Sequence, residues 1–132
     1  MAGAKLFALK KASAMALRFW FCATITTISA LVSAGFSVVG LLGPSGGDIF
    51  ARYAASRSIA LLVAALSCMA LCWRKGVAAV ALAMSLVQGF DGLIGALALA
   101  GDPTKTYGPF VFAAVNVAAL AWLLGTPVIH ET

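Results

Sequence analysis

Arg57 and Asp91 are ionisable side chains set inside long apolar runs of this 132-residue chain. A charge at the middle of a membrane helix costs about 2.5–3.5 kcal/mol on insertion scales, so such a residue needs a partner or a task. The two side chains could pair with each other and fix helix register. Arg57 could also hold an anion or a carbonyl oxygen, and Asp91 could carry a proton. Gln88 and Asn116 are uncharged polar residues in the third and fourth runs, and Ser37 and Tyr53 stand in the first and second. Arg57, Asp91, Asn116, Gln88, Ser37 and Tyr53 are therefore the candidate ligand-binding or buried polar layer. No residue is singled out as catalytic or as a metal ligand.

Other chemistries find little support. The single histidine, His130, stands beside Glu131 in the tail. That argues against histidine-based catalysis and against haem held by paired histidines. No H-E-x-x-H, Walker A loop or G-x-S-x-G is present. Gly43–Gly47 lacks the lysine and helix context of a phosphate loop and reads as a connection, as does Asp102-Pro103. Cys22 and Cys72 fall at one depth, with Cys68 one turn above Cys72. No C-x-x-C occurs, and no histidine or carboxylate neighbours the thiols. They read as small buried hydrophobes. No resident cofactor is expected, although the polar layer would suit a quinone or a lipid.

The elements that position these residues follow from composition. Hydrophobic residues make up 63% of the chain and charged residues 10%, against about half and a quarter in a soluble domain. Four apolar runs are separated by short polar breaks, and they predict helices over about 19–42, 53–73, 77–100 and 107–125 in one membrane domain, 1–132. A span needs about 20 apolar residues. Period-2 alternation with a polar face is absent, which argues against a barrel. The first run is too long for the apolar core of a cleaved signal peptide and is read as a retained helix. Pro109 suits a first helical turn, where its missing N–H costs nothing.

The net charge of +5 does not point to nucleic acid, because no basic patch with interleaved aromatics appears. Six of the nine Lys and Arg residues lie before the first run or at Arg74-Lys75. Basic flanks mark the cytoplasmic side. The expected fold is an all-α integral membrane four-helix bundle, up-down-up-down, with both termini cytoplasmic. A bacterial inner membrane is the expected location. Lys5 to Arg18 is weakly amphipathic and reads as a solvated extension of the first helix. The bilayer is the expected partner, and a homo-oligomer or larger membrane complex is compatible with the pattern.

Hairpin register sets relative depth. A turn at Arg74–Gly76 brings Arg57 and Asp91 within about 3 Å in height, at 1.5 Å rise per residue. The same reasoning sets Asn116 level with Asp91 and Ser37 level with Arg57. Four polar side chains are thus expected in one layer of the outer half. Gln88, Asp91, Gly92 and Gly95 share a face at helical spacing, as do Ser29, Ser33 and Ser37. Tyr53, Ser56 and Arg57 share a face of the second helix. These three faces are the expected interior.

The stretch Ala51-Arg52-Tyr53-Ala54-Ala55-Ser56-Arg57-Ser58-Ile59-Ala60-Leu61, with Gly89-Phe90-Asp91-Gly92, resembles small four-helix membrane proteins of the DoxX/DoxD-like group, which includes uncharacterised families. The resemblance covers about residues 50–125. It implies a four-helix bundle and, for some members, association with membrane oxidoreductase or quinone-linked complexes. Small multidrug transporters are of similar size but depend on an acidic residue in helix one, which this chain lacks.

Three functions remain in view. The first is a module that binds a lipid-like or quinone-like ligand, or serves as accessory subunit of a membrane complex. The second is a small proton-coupled transporter using Asp91. The third is a subunit of a membrane oxidoreductase. An enzyme is the weaker expectation.

Overall fold

The computed structural model describes residues 2–44, 49–97 and 103–125. Four helices account for nearly all of them: α1 (Ala2–Leu42), α2 (Ile49–Ala70), α3 (Arg74–Leu97) and α4 (Pro103–Leu124). No strand occurs among the described residues. The turn signals at 45–48 and Asp102, the expected end of the third span at Ala100, and the tail with His130 lie outside them.

Each helix contains a segment long and apolar enough to cross a membrane: Ala12–Leu42, Ile49–Ala70, Arg74–Leu97 and Tyr107–Leu124. The side chains sort by size in the way lipid requires. Large apolar residues such as Phe36, Leu42 and Phe50 face outward, whereas Ala23, Ala30, Ala34, Ala55, Ala65 and Ala81 are buried. Lipid offers no hydrophobic drive to hide a leucine, so helices approach each other on small residues instead. This pattern points to a multi-pass membrane protein.

Helices α1 and α3 each pack against all three others, while α2 and α4 do not touch among the described residues. The inner diagonal is therefore α1 and α3. One apolar cluster joins Phe19, Cys22 and Ala23 of α1 to Cys68, Val77, Ala81, Ala119 and Leu123. A second joins Ala30, Ala65 and Met84. Near the first cluster, the Arg18 guanidinium donates to the Trp122 carbonyl at 3.4 Å and lies 5.8 Å from the centre of its ring. Arg74 donates to the Leu123 carbonyl. Two arginines thus satisfy carbonyls that the end of α4 leaves open.

Several boundaries differ from the sequence reading. Helix α1 starts at Ala2, so the basic N-terminal stretch continues the helix. Helix α2 ends at Ala70 and α3 starts at Arg74, so the turn is Leu71-Cys72-Trp73 and not Arg74–Gly76. Its hydrogen bonds explain the shift. The Trp73 N–H reaches the Cys68 carbonyl at 2.9 Å and the Cys72 N–H reaches the Met69 carbonyl at 3.1 Å. That is a Schellman end, with Cys72 in the left-handed position at φ 49°. An apolar cysteine in the place usually held by glycine hides the stop. Gly76 then packs beneath Trp73: a Cβ there would stand 2.7 Å from Cys68 Sγ and closer to the Trp73 ring.

Helix α4 starts at Pro103, which leaves Pro109 inside it and not in its first turn. Pro103 can open a helix because its fixed φ suits the first turn. Pro109 still removes one backbone donor. The preceding Gly108 has no Cβ to clash with the proline ring, which eases the helical conformation there.

Candidate functional site

Asp91 projects from α3 and Arg57 from α2, and they meet. One guanidinium nitrogen, Nη2, lies 3.1 Å from both Oδ1 and Oδ2. The pair lies at the margin of the helix packing, with the side chains 45% and 34% exposed. The α2 face that turns inward carries Ala55, Ser58, Ala65 and Cys68. The expectation that Tyr53, Ser56 and Arg57 form that face is therefore corrected. Tyr53 is 66% exposed, and Ser56 returns its hydroxyl to the Tyr53 carbonyl. Small residues let α2 approach α1, and the large side chains are displaced to the flank.

Ser58 is the polar residue of α2 that reaches the interior. Its Oγ lies 3.2 Å from Ser33 Oγ and 3.0 Å from Ser37 Oγ. The α1 serine stripe thus ends on Ser58, and Ser37 meets Ser58 rather than Arg57. Ser58 was missed in the sequence. Its signal was its place in the small-residue series Ala55, Ser58, Ala65, Cys68 at helical spacing.

A separate knot joins α1, α3 and α4. Asn116 Nδ2 donates to Ser29 Oγ at 2.6 Å and to the Phe112 carbonyl at 2.9 Å. Gln88 Nε2 donates to the Ser29 carbonyl at 3.4 Å. Asn116 is fully buried and Gln88 is 5% exposed. The amide oxygens Oδ1 of Asn116 and Oε1 of Gln88 are buried and have no partner among the described residues.

Asn116 therefore does not join the Arg57–Asp91 layer. The cause is register. With α4 starting at Pro103, Gly92 faces Phe110, where a Cβ on Gly92 would stand 3.1 Å from the ring. Asn116 then lies roughly 7–8 Å deeper than Asp91 at 1.5 Å per residue. The expected single layer resolves into an ion pair, a serine triplet and an amide knot.

Beside Asp91 lies a partly open cleft of about 830 Å³. Helix α1 lines it with Val32, Ser33, Phe36 and Ser37, and α3 with Gln88 and Asp91. Pro103, Tyr107 and Gly108 come from α4, with Phe112 further along the same wall. None of the described α2 residues lines it, so Arg57 holds Asp91 from outside the cleft. A Cβ on Gly108 would meet nothing within 4 Å. The size and the mainly apolar walls with a few convergent polar groups are those of small-molecule sites.

Three of the six candidate residues, Ser37, Gln88 and Asp91, share this cleft. Arg57 stands behind it, Asn116 below it and Tyr53 on the outer surface. The α4 wall was not among the candidates: Tyr107, Gly108 and Phe112 fall within the expected fourth helix but are not buried polar residues, and Pro103 precedes it. Cys22 and Cys68 are buried in one apolar cluster, whereas Cys72 is exposed. No group of three or more His, Cys, Asp or Glu able to hold a metal occurs among the described residues. Comparisons with known protein families, curated proteins and solved structures found no match to this chain.

Proposed function

We propose that this chain is a membrane binding module that holds an amphiphile, lipid-like or quinone-like, in the cleft between α1, α3 and α4. The observation that carries the reading is the cleft itself. Its volume suits a small ligand, its walls are largely apolar, and an intramembrane carboxylate lies at its edge. Accessory-subunit duty in a larger membrane complex is compatible with the same site.

The fold we infer is an up-and-down bundle in a bacterial inner membrane with both termini cytoplasmic. The basic N-terminal stretch and the Arg74-Lys75 start of α3 supply the positive flank. The contact of Arg18 and Arg74 with the end of α4 is consistent with this arrangement. Kinship with the DoxX/DoxD-like group rests on the residues around Arg57 and Asp91 and belongs to the same proposal.

The test is retention of ligand by the purified chain. Native mass spectrometry from lipid nanodiscs should find a bound amphiphile on the wild type. Gly108→Leu should lose it, because the new side chain has room to fill the cleft without a backbone clash. Equal retention by both proteins, or none by the wild type, overturns the reading.

Asp91 at the cleft also keeps the transporter reading in view. Proton-coupled uptake into liposomes that is abolished in Asp91→Asn would favour it, and unchanged uptake would remove it. An oxidoreductase-subunit role would instead require a redox-active group retained with the purified chain.

A further inference from the structure

We infer that the cleft selects a neutral amphiphile whose head donates hydrogen bonds, such as a hydroxyl-bearing lipid or quinol, over anionic or purely accepting heads. This rests on the binding-module reading and specifies its ligand class.

Charge comes first. A solitary Arg57 would favour an anionic head. The guanidinium, however, approaches Asp91 from α2, which contributes no described residue to the cleft wall. The cleft therefore faces the carboxylate side of the pair. An anionic head would face the negative end of the pair in a medium where charges are weakly screened. A cationic head would enter a site whose negative charge is already balanced by Arg57. A neutral head has neither difficulty.

Hydrogen-bonding capacity comes next. An ionised carboxylate accepts at about four lone-pair positions and donates at none. Arg57 reaches both Asp91 oxygens with a single nitrogen, which leaves acceptor positions open. Gln88, also on the wall, is nine-tenths buried, and its Oε1 has no partner among the described residues. A buried acceptor left unsatisfied is unfavourable, so a donor that reaches it is favoured.

Donors on the wall are fewer. Ser33 and Ser37 both bond to Ser58 Oγ. Ser58 has one hydroxyl proton, so at least one of the other two serines must direct its own proton to Ser58. One Gln88 N–H is already committed to the Ser29 carbonyl. The Tyr107 hydroxyl can donate or accept. The polar end of the cleft thus has acceptors in excess, and a guest that supplies donors complements it.

Four amphiphiles with one shared oleoyl or oleyl tail separate the possibilities: monoolein (neutral, donating), methyl oleate (neutral, accepting only), oleate (anionic) and oleylamine (cationic). Equilibrium binding is measured on the full chain in nanodiscs. Monoolein should bind at least tenfold tighter than each of the others. The double variant Arg57→Met/Asp91→Leu removes the carboxylate without leaving an unpaired charge. It should keep tail binding while most of the monoolein preference is lost. Should that variant fail to fold, Gln88→Met provides the second arm, and it should lower monoolein affinity more than methyl oleate affinity. A preference for oleate or oleylamine, or equal binding of monoolein and methyl oleate, overturns the inference but leaves the binding reading intact. Binding of none of the four overturns both.

Discussion

Breaking the Arg57–Asp91 pair on one side should be worse than removing it altogether. Arg57 lies about 12 Å inside the start of α2, a helix roughly 33 Å long at 1.5 Å per residue. Its head can extend part of the way toward the interface once its partner is gone. The cost of Asp91→Leu should therefore fall below the mid-helix value for arginine of about 2.5–3.5 kcal/mol, at roughly 1–2 kcal/mol. Arg57→Met leaves a carboxylate beside apolar α1 and α4 walls, and a loss of similar size is expected. The double variant Arg57→Met/Asp91→Leu removes both desolvated charges and should lie within about 0.5 kcal/mol of the wild type. The cycle then yields a coupling of about 1.5 kcal/mol or more. Reversible unfolding in mixed micelles, followed by tryptophan fluorescence, reads all four proteins. If the double variant loses the sum of the two single losses, the contact at 3.1 Å is not an energetic pair and the argument fails.

Three further outcomes follow from the packing. Gly76→Ala should destabilise by about 1–3 kcal/mol in the same unfolding assay, because its Cβ would overlap Cys68 Sγ and the Trp73 ring. Wild-type stability in that variant would mean that the turn repacks freely. Asn116→Leu should cost under about 1 kcal/mol, because interhelical hydrogen bonds in membranes average only about 0.6 kcal/mol and an unpartnered oxygen is removed with them. A loss above about 2 kcal/mol would show that the amide knot holds more than these contacts. A membrane-impermeant maleimide should label exposed Cys72 from the cytoplasmic side and leave buried Cys22 and Cys68 unlabelled until denaturation. Labelling from the outer side would invert the proposed orientation.

The helices were legible from the sequence because lipid imposes a strong, local rule. Backbone groups inside hydrocarbon must satisfy each other, so a long apolar run is a helix whatever it packs against. The Arg57–Asp91 contact was legible for a related reason. Helices α2 and α3 are joined by a short turn, and a register error of a few residues still leaves two long side chains within reach. Register failed where a helix start was misread. A turn centred near Thr104 sets Asn116 level with Asp91, but α4 already starts at Pro103, which moves Asn116 deeper. The inward face of α2 failed for a different reason. Polarity was used to find it, whereas in lipid the criterion is small size, which selects Ala55, Ser58, Ala65 and Cys68.

By itself, then, the sequence determined an all-helical chain with four segments able to cross a membrane and a short list of polar side chains that cannot face lipid unaided. Tertiary structure decided how those side chains divide. It joined Ser33 and Ser37 to Ser58, and Ser29 to Gln88 and Asn116. It also put Asp91, but not Arg57, on the wall of a cleft. The physical reason is that composition and period act along one helix, whereas a cleft depends on how three helices rotate and slide against one another. Those offsets come from close contacts such as Gly92 with Phe110, which no single helix encodes.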